Sequence, residues 1–274
     1  MNKIFPVINR GSPLSIGLVA AIPLFDRGGS TPYDFIRKIF LTTAGSPTWQ
    51  TGVYGADMRF VRASSQYIAS NYKLVLAAND SITISMLVKI SSAAATGQIV
   101  LFGAFDASGN FPEFMCGVGH GVNNGAVAMF ISGTSSGNSY AQASTTDLRD
   151  NNWHHLTYVR DGTALKILIY VDGVLIDSIA DTTTGGITIN SACFIAAENQ
   201  NGTPAQFIDM DCLGILIHNR VLSAREVKQL YSDPFQVYEK PRYRLANIIS
   251  VVGNEVFGQV SQPMVHNNAA WRSV

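Results

Sequence analysis

Two Asp-Gly pairs, Asp161-Gly162 and Asp172-Gly173, divide residues 153–179 into three runs of strand-forming residues. The first reads Trp-His-His-Leu-Thr-Tyr-Val-Arg, the second Lys-Ile-Leu-Ile-Tyr-Val, and the third Val-Leu-Ile-Asp-Ser-Ile. Asp-Gly between alternating apolar runs is the strongest short-range hairpin signal, because glycine reaches φ > 0 without a Cβ clash. The stretch predicts a three-stranded antiparallel meander. A chain organised round it is committed to β architecture.

The same period of two returns upstream. In residues 81–90, Ile82, Ile84, Met86 and Val88 share one parity and Thr83, Ser85 and Leu87 the other, as in a strand with two distinct faces. Apolar runs at 98–105 and 125–131 are further strands, separated by loops rich in glycine and serine. Residues 14–25 read as the first strand and not as a targeting segment, since Gly17 and Pro23 interrupt the run and no A-x-A site follows. With 24 glycines and only 14% charged residues, the composition suits many short strands and tight turns, and suggests a surface that is largely uncharged polar or covered by neighbouring subunits. One helix is predicted near the end. Ser223 and Glu226 form a capping box, Leu222 and Val227 the matching staple, Val227, Leu230 and Tyr231 an apolar stripe, and Asp233-Pro234 the stop. Beyond Pro241 the character changes to a tail whose cluster Ile248, Ile249, Val251 and Val252 argues for an arm that docks on a partner.

The 274 residues carry 19 basic and 19 acidic side chains and no basic stripe, which excludes a nucleic-acid-binding surface. No stretch reaches the roughly 20 apolar residues of a membrane span. Cys116, Cys193 and Cys212 have neither an even count nor a metal-type spacing, so they are expected as buried free thiols. His154 and His155 are adjacent on a strand and point to opposite faces, so they cannot share one ion. The glutamates Glu113, Glu198, Glu226, Glu239 and Glu255 are too scattered for the carboxyl pair, about 5–5.5 Å apart, of a retaining glycosidase. No cofactor is implied by any motif.

Trp153-His-His-Leu156, Val159-Arg-Asp-Gly162 and Tyr170-Val-Asp-Gly173 together resemble the central signature of laminin-G-like, concanavalin A-like jelly-roll domains. Gly17 to Leu24, Pro47-Thr-Trp49, Tyr54-Gly-Ala56 and Asp209 to Glu226 resemble that family's first strand, its following stretch, and its closing strand and helix. The resemblance implies an all-β sandwich of two antiparallel sheets over residues 14–235, a lead at 1–13, one short C-terminal helix and an extended arm at 236–274. It also makes calcium the ion to consider. Asp209 and Asp211, on one strand face, are the best oxygen ligands, with Asn190 or a loop carbonyl as third. Leu230-Tyr-Ser-Asp-Pro-Phe235 and the Tyr/Arg/Pro segment after it resemble versions of the domain in bacteriophage genomes. That implies a non-enzymatic virion protein, a capsid decoration, head fibre or tail-associated subunit. Such a protein is exposed on the particle, made in the host cytoplasm without a signal peptide, oligomeric, and docked on other virion proteins through its arm. The alternative is a glycan-binding adhesin of a phage tail or bacterial surface, and a glycoside hydrolase comes third.

Overall fold

Alternation along Ile82–Ile90 turns Ile82, Ile84, Met86, Val88 and Ile90 into one buried core, and every strand beside it repeats the rule. The computed structural model describes residues 6–25, 31–52, 54–94, 99–106, 113–118, 126–133, 138–183, 186–239, 251–252 and 255–256. Residues 1–240 form one unit and 241–274 another.

In the first unit, two sheets close over a core containing Phe60, Phe102, Phe114 and Tyr158. The first sheet runs in the order Val174–Ala180, Lys166–Val171, Trp153–Asp161, Ile82–Ile90, Met210–His218, Gly55–Phe60, Thr48–Gly52. The second runs Asn138–Asp147, Ala126–Ser132, Glu113–Val118, Ile99–Phe105, Ile187–Ile195, Tyr67–Leu76, Thr42–Ala44. Pairing is antiparallel except for Glu198–Gln200, which lies parallel to Ile99–Phe105. The result is a concanavalin A-like jelly-roll sandwich with a single short helix among the described residues.

The two Asp-Gly turns form for different reasons. Asp172 and Gly173 have φ of 51° and 77°, the double positive φ of a type I′ hairpin. Gly162 has no positive φ; Leu165 takes that role at 52°, and the loop is longer than two residues. Glycine is required at 162 because a Cβ there would overlap the carbonyls of Asn79 and Asp80. That same loop is gripped by Arg160, fully buried, which donates to Asp181 (2.7 Å), Asp80 O (2.9 Å) and Ala78 O (3.0 Å). Its charge is tolerated because the carboxylate and carbonyls satisfy the guanidinium.

The Met210–His218 strand changes neighbours along one edge. Met210–Cys212 pairs with Gly55–Phe60, and after a bulge at Leu213–Gly214 the edge pairs with Leu18–Pro23. A Cβ at Gly214 would lie 2.8 Å from Ile22 O, so the bulge needs glycine. The helix Ala224–Ser232 carries the predicted capping box, with Ser223 accepting from Glu226 N (3.3 Å) and Glu226 from Ser223 N (2.9 Å). Val227 and Leu230 are buried with Val159, Tyr170 and Leu216 on the outer face of the first sheet, each contributing about 1.5–3 kcal/mol. Tyr231 departs from the expected stripe: it is 46% exposed and leans on Gly173. Ile8 bridges to Tyr238, and both join that cluster. Cys116, Cys193 and Cys212 are buried free thiols.

In the second unit, Val251–Val252 pairs antiparallel with Glu255–Val256. Ile248 and Ile249 lie outside the described residues.

Candidate functional site

The first sheet's outer face is covered at one end by the helix and left open at the other. At the open end, strand register lines up Arg59, Asp211, Lys89 and Trp153 as direct cross-strand neighbours. Their alternation partners Met58, Met210, Val88 and Phe60 point into the core, which fixes the row outward. Arg59 donates Nε to Asp211 Oδ1 (2.7 Å) and Nη2 to Oδ2 (2.9 Å), and Lys89 Nζ stands 2.7 Å from Oδ2. The Asp211 side chain is 3% exposed, against 42% for Arg59 and 24% for Lys89. Burial pushes the Asp211 carboxyl up, but the hydrogen bonds and charges of Arg59 and Lys89 outweigh it and hold the group below the usual carboxylate range. Asp57, one row in and also buried, goes the other way: desolvation and then the Asp211 charge raise it.

The row ends in an aromatic corner. Lys89 Nζ lies 5.6 Å from the centre of the Trp153 ring, and Tyr54 packs edge-on against Trp153 at 6.0 Å. Beyond Arg59 and Lys89 the surface opens into a cleft of about 400 Å³ whose rim is Val61, Ser91, Ala93, Asn151 and Asp209. Asp209 ties two sides of the rim together, accepting from Arg62 N (2.8 Å) through its carboxylate and from Ser91 N (3.1 Å) through its carbonyl. Asn151, at φ 63°, donates its N–H to Ile90 O (3.0 Å). Its loop is pinned by His154, whose Nδ1 lies 2.8 Å from Asp172 Oδ2 and whose Nε2 lies 3.2 Å from both Asp150 oxygens. The Asp172 hydrogen bond, over the cost of burial, raises the His154 pKa. His155, one residue on, is buried beside Tyr231 on the other face and is pushed down to about 4 by desolvation.

Of the residues singled out from sequence, Asp209 and Asp211 both line this cleft. Asn190 does not join them; its side chain donates to Asp106 (3.1 Å), and it lies on an Ile187–Ile195 strand of the second sheet. Among the described residues no three His, Cys, Asp or Glu side chains gather as a metal cluster. A cation at Asp211 would have to displace Arg59 and Lys89. Arg59, Lys89, Trp153 and Asn151 were not foreseen as neighbours of Asp211. The only local trace was Lys89, a charge where the outward parity of its strand otherwise reads Thr, Ser, Leu.

The fold and this cleft define a jelly-roll sandwich with an open polar recess on one face. The family model described as the concanavalin A-like lectin/glucanases superfamily matches residues 62–228, and the chain belongs to that family. Comparison with curated proteins gives no match. Among solved structures, the binding domain of Paraclostridial Mosquitocidal Protein 1 aligns with TM-score 0.58 and 16% identity, over 80% of this chain and 52% of that one. The binding domain of botulinum neurotoxin serotype G aligns with TM-score 0.59 and 13% identity, over 79% and 51%. Domain 4 of AbnA, a GH43 extracellular arabinanase from Geobacillus stearothermophilus, in complex with arabinotriose, aligns with TM-score 0.52 and 17% identity, over 78% and 98%. The chain thus spans about half the length of the toxin binding domains and nearly all of the arabinanase domain. At these identities the likeness is one of fold.

Proposed function

We infer that the chain is a non-catalytic saccharide-binding module whose binding site is the cleft beside Arg59, Lys89 and Asn151, with Trp153 next to it behind Lys89. The observation that carries this reading is the cross-strand row Arg59, Asp211, Lys89, which lines an open recess with polar groups and sets Trp153 next to Lys89 just outside that lining. Saccharides present hydroxyl pairs and apolar C–H faces, and sites that fix them combine a few placed polar groups with an aromatic wall. The Asp57 and Asp211 carboxyls, the acidic neighbours on this face, are both buried and Asp211 is saturated by its cations. Among the described residues lining the cleft, that leaves Asp209 as the one carboxylate that is neither buried nor held by cations, where glycoside hydrolysis uses a pair. Support also comes from the arabinotriose held by the arabinanase domain. The test is calorimetric titration of an oligosaccharide panel against the intact chain and a Trp153→Ala variant. Binding that weakens about tenfold in the variant supports the site, and unchanged binding removes it.

A second reading concerns where the module sits. The segment 230–235 and the residues after it resemble phage forms of the domain, and residues 241–274 form a unit of their own. These features support a virion subunit that displays the sandwich and docks on a neighbour through its C-terminal unit. Removal of residues 241–274 is expected to leave the sandwich folded while abolishing incorporation into particles, and to turn a full-length oligomer into a monomer by light scattering. A truncated chain that still assembles and incorporates normally rules that unit out as the anchor.

A further inference from the structure

Building on the saccharide reading, we propose that the cleft selects uncharged saccharides, and that Asp211 is the residue that sets this preference by acting as a built-in counter-ion. Proteins capture a carboxylate-bearing ligand most effectively with a guanidinium fork, two parallel N–H groups meeting two oxygens. Here that fork is filled. Arg59 presents Nε and Nη2 to Asp211 in the two-bond geometry an acidic sugar would need, and Lys89 is drawn to the same carboxylate. Asp211 is buried in the sheet, so an incoming ligand cannot displace it without breaking the cross-strand pairing that holds it.

The remaining charges favour the same ligand class. Among the described residues lining the cleft, two cations, Arg59 and Lys89, face two carboxylates, Asp209 and Asp211. A sugar carboxylate entering this balanced site would lose its water and meet Asp209, while both lining cations are already neutralised by Asp211. Hydroxyl groups suit it better. Lys89 keeps N–H donors beyond the Asp211 contact, while Asp209, Asn151 and Ser91 supply acceptors and further donors along the rim. Asp211 therefore never needs to touch the ligand; it decides which ligands the two cations can still accept.

Matched pairs test this: lactose against sialyllactose, and the methyl ester of trigalacturonate against trigalacturonate, titrated into the intact chain at low and high sodium chloride. The neutral member is expected to bind about tenfold or more tightly than its acidic partner, with affinity changing less than about twofold as salt rises. In Asp211→Asn the fork is released, and the acidic partners are expected to gain about tenfold in affinity, with a new sensitivity to salt. Asp211→Asn is first checked for native circular dichroism. If it does not fold, the selectivity and salt response of the unaltered chain decide the matter alone. Preference for the acidic members overturns the inference while leaving saccharide binding in place. Binding of neither class overturns the saccharide reading and this inference with it.

Discussion

The outer face of the first sheet is built from the same strands at both ends, yet its two halves are different surfaces. Along Ile82–Ile90, Ser85 and Leu87 lie under the helix and its flanks, and Lys89 is half-buried at the cleft. Along Met210–His218 the order is reversed in sequence but not in space: Leu213 and Leu216 are covered, Asp211 meets the cleft. Trp153–Asp161 follows suit, with His155 under Tyr231 and Trp153 at the edge. In the covered half Leu230, Phe235 and Tyr238 leave a gap of only about 30 Å³, room for about one water. The open half replaces that lid with charges that neutralise one another within the sheet. A sheet face has two ways to be stable, an apolar lid or an internally paired polar row, and only the second leaves room for a ligand.

Substitutions and pH should separate the halves, most strongly where the lid is apolar. Leu230→Ala, at a fully buried position, is expected to cost about 2–5 kcal/mol in urea unfolding, with saccharide affinity of the folded protein unchanged. A loss of affinity as large as the loss of stability would show the halves to be coupled. Acid should act next. Free imidazole titrates near 6.5, and burial holds His155 and His218 at about 4. Because the unfolded chain then binds protons more readily, their contribution is full above about pH 6.5. It falls as pH drops toward 4, by at most about 3 kcal/mol each. His154, whose value is raised by Asp172 and Asp150, runs oppositely: its contribution is full below about pH 6.5 and is lost as pH rises through its folded value. Unfolding titrations across this range, with the imidazole signals followed by NMR, check both signs.

Ser223→Ala removes the helix cap and should cost about 1 kcal/mol, seen as a lower urea midpoint with an unchanged slope. Lys89→Met keeps the stem over Trp153 and leaves Arg59 on Asp211, so stability should move by less than about 1 kcal/mol. Its effect should appear instead as weaker saccharide binding by calorimetry. Were Lys89→Met to unfold the chain while Ser223→Ala had no effect, the division between lid and row would fail.

Local features were legible in the sequence, and long-range register was not. The Asp172-Gly173 turn and the Ser223–Glu226 cap are set by residues within a few positions of each other, so spacing alone revealed them. Gly162 was recognised as a turn, but its need arises from a close approach by Asn79 and Asp80, which no local pattern records. The resemblance made calcium the ion to consider, and alternation along one strand put Asp209 with Asp211 as its ligands. Alternation gives the face and not the neighbours, and the group that fills Asp211 is Arg59, 152 residues earlier in the chain. Tyr231 carried the helical period of Val227 and Leu230, yet it rests on the hairpin turn at Gly173 instead of in the covered cluster. Helical spacing specifies a direction, and the edge of the sheet decides whether anything lies there to meet it.

The bulge at Leu213–Gly214 bears on how the molecule comes into being. Because the strand that carries it receives Leu18–Pro23 on its far side, the earliest part of the sandwich to leave the ribosome waits for one of the last. His218 Nε2 meets Leu14 O at 2.8 Å across 204 residues of chain. Until that late strand is synthesised, Ala20, Ile22 and Leu24 have no place to dock, and the nascent chain carries an apolar segment in need of shelter. Closure of such distant pairings is slow, so the demand for chaperone protection should end only when residue 218 has emerged.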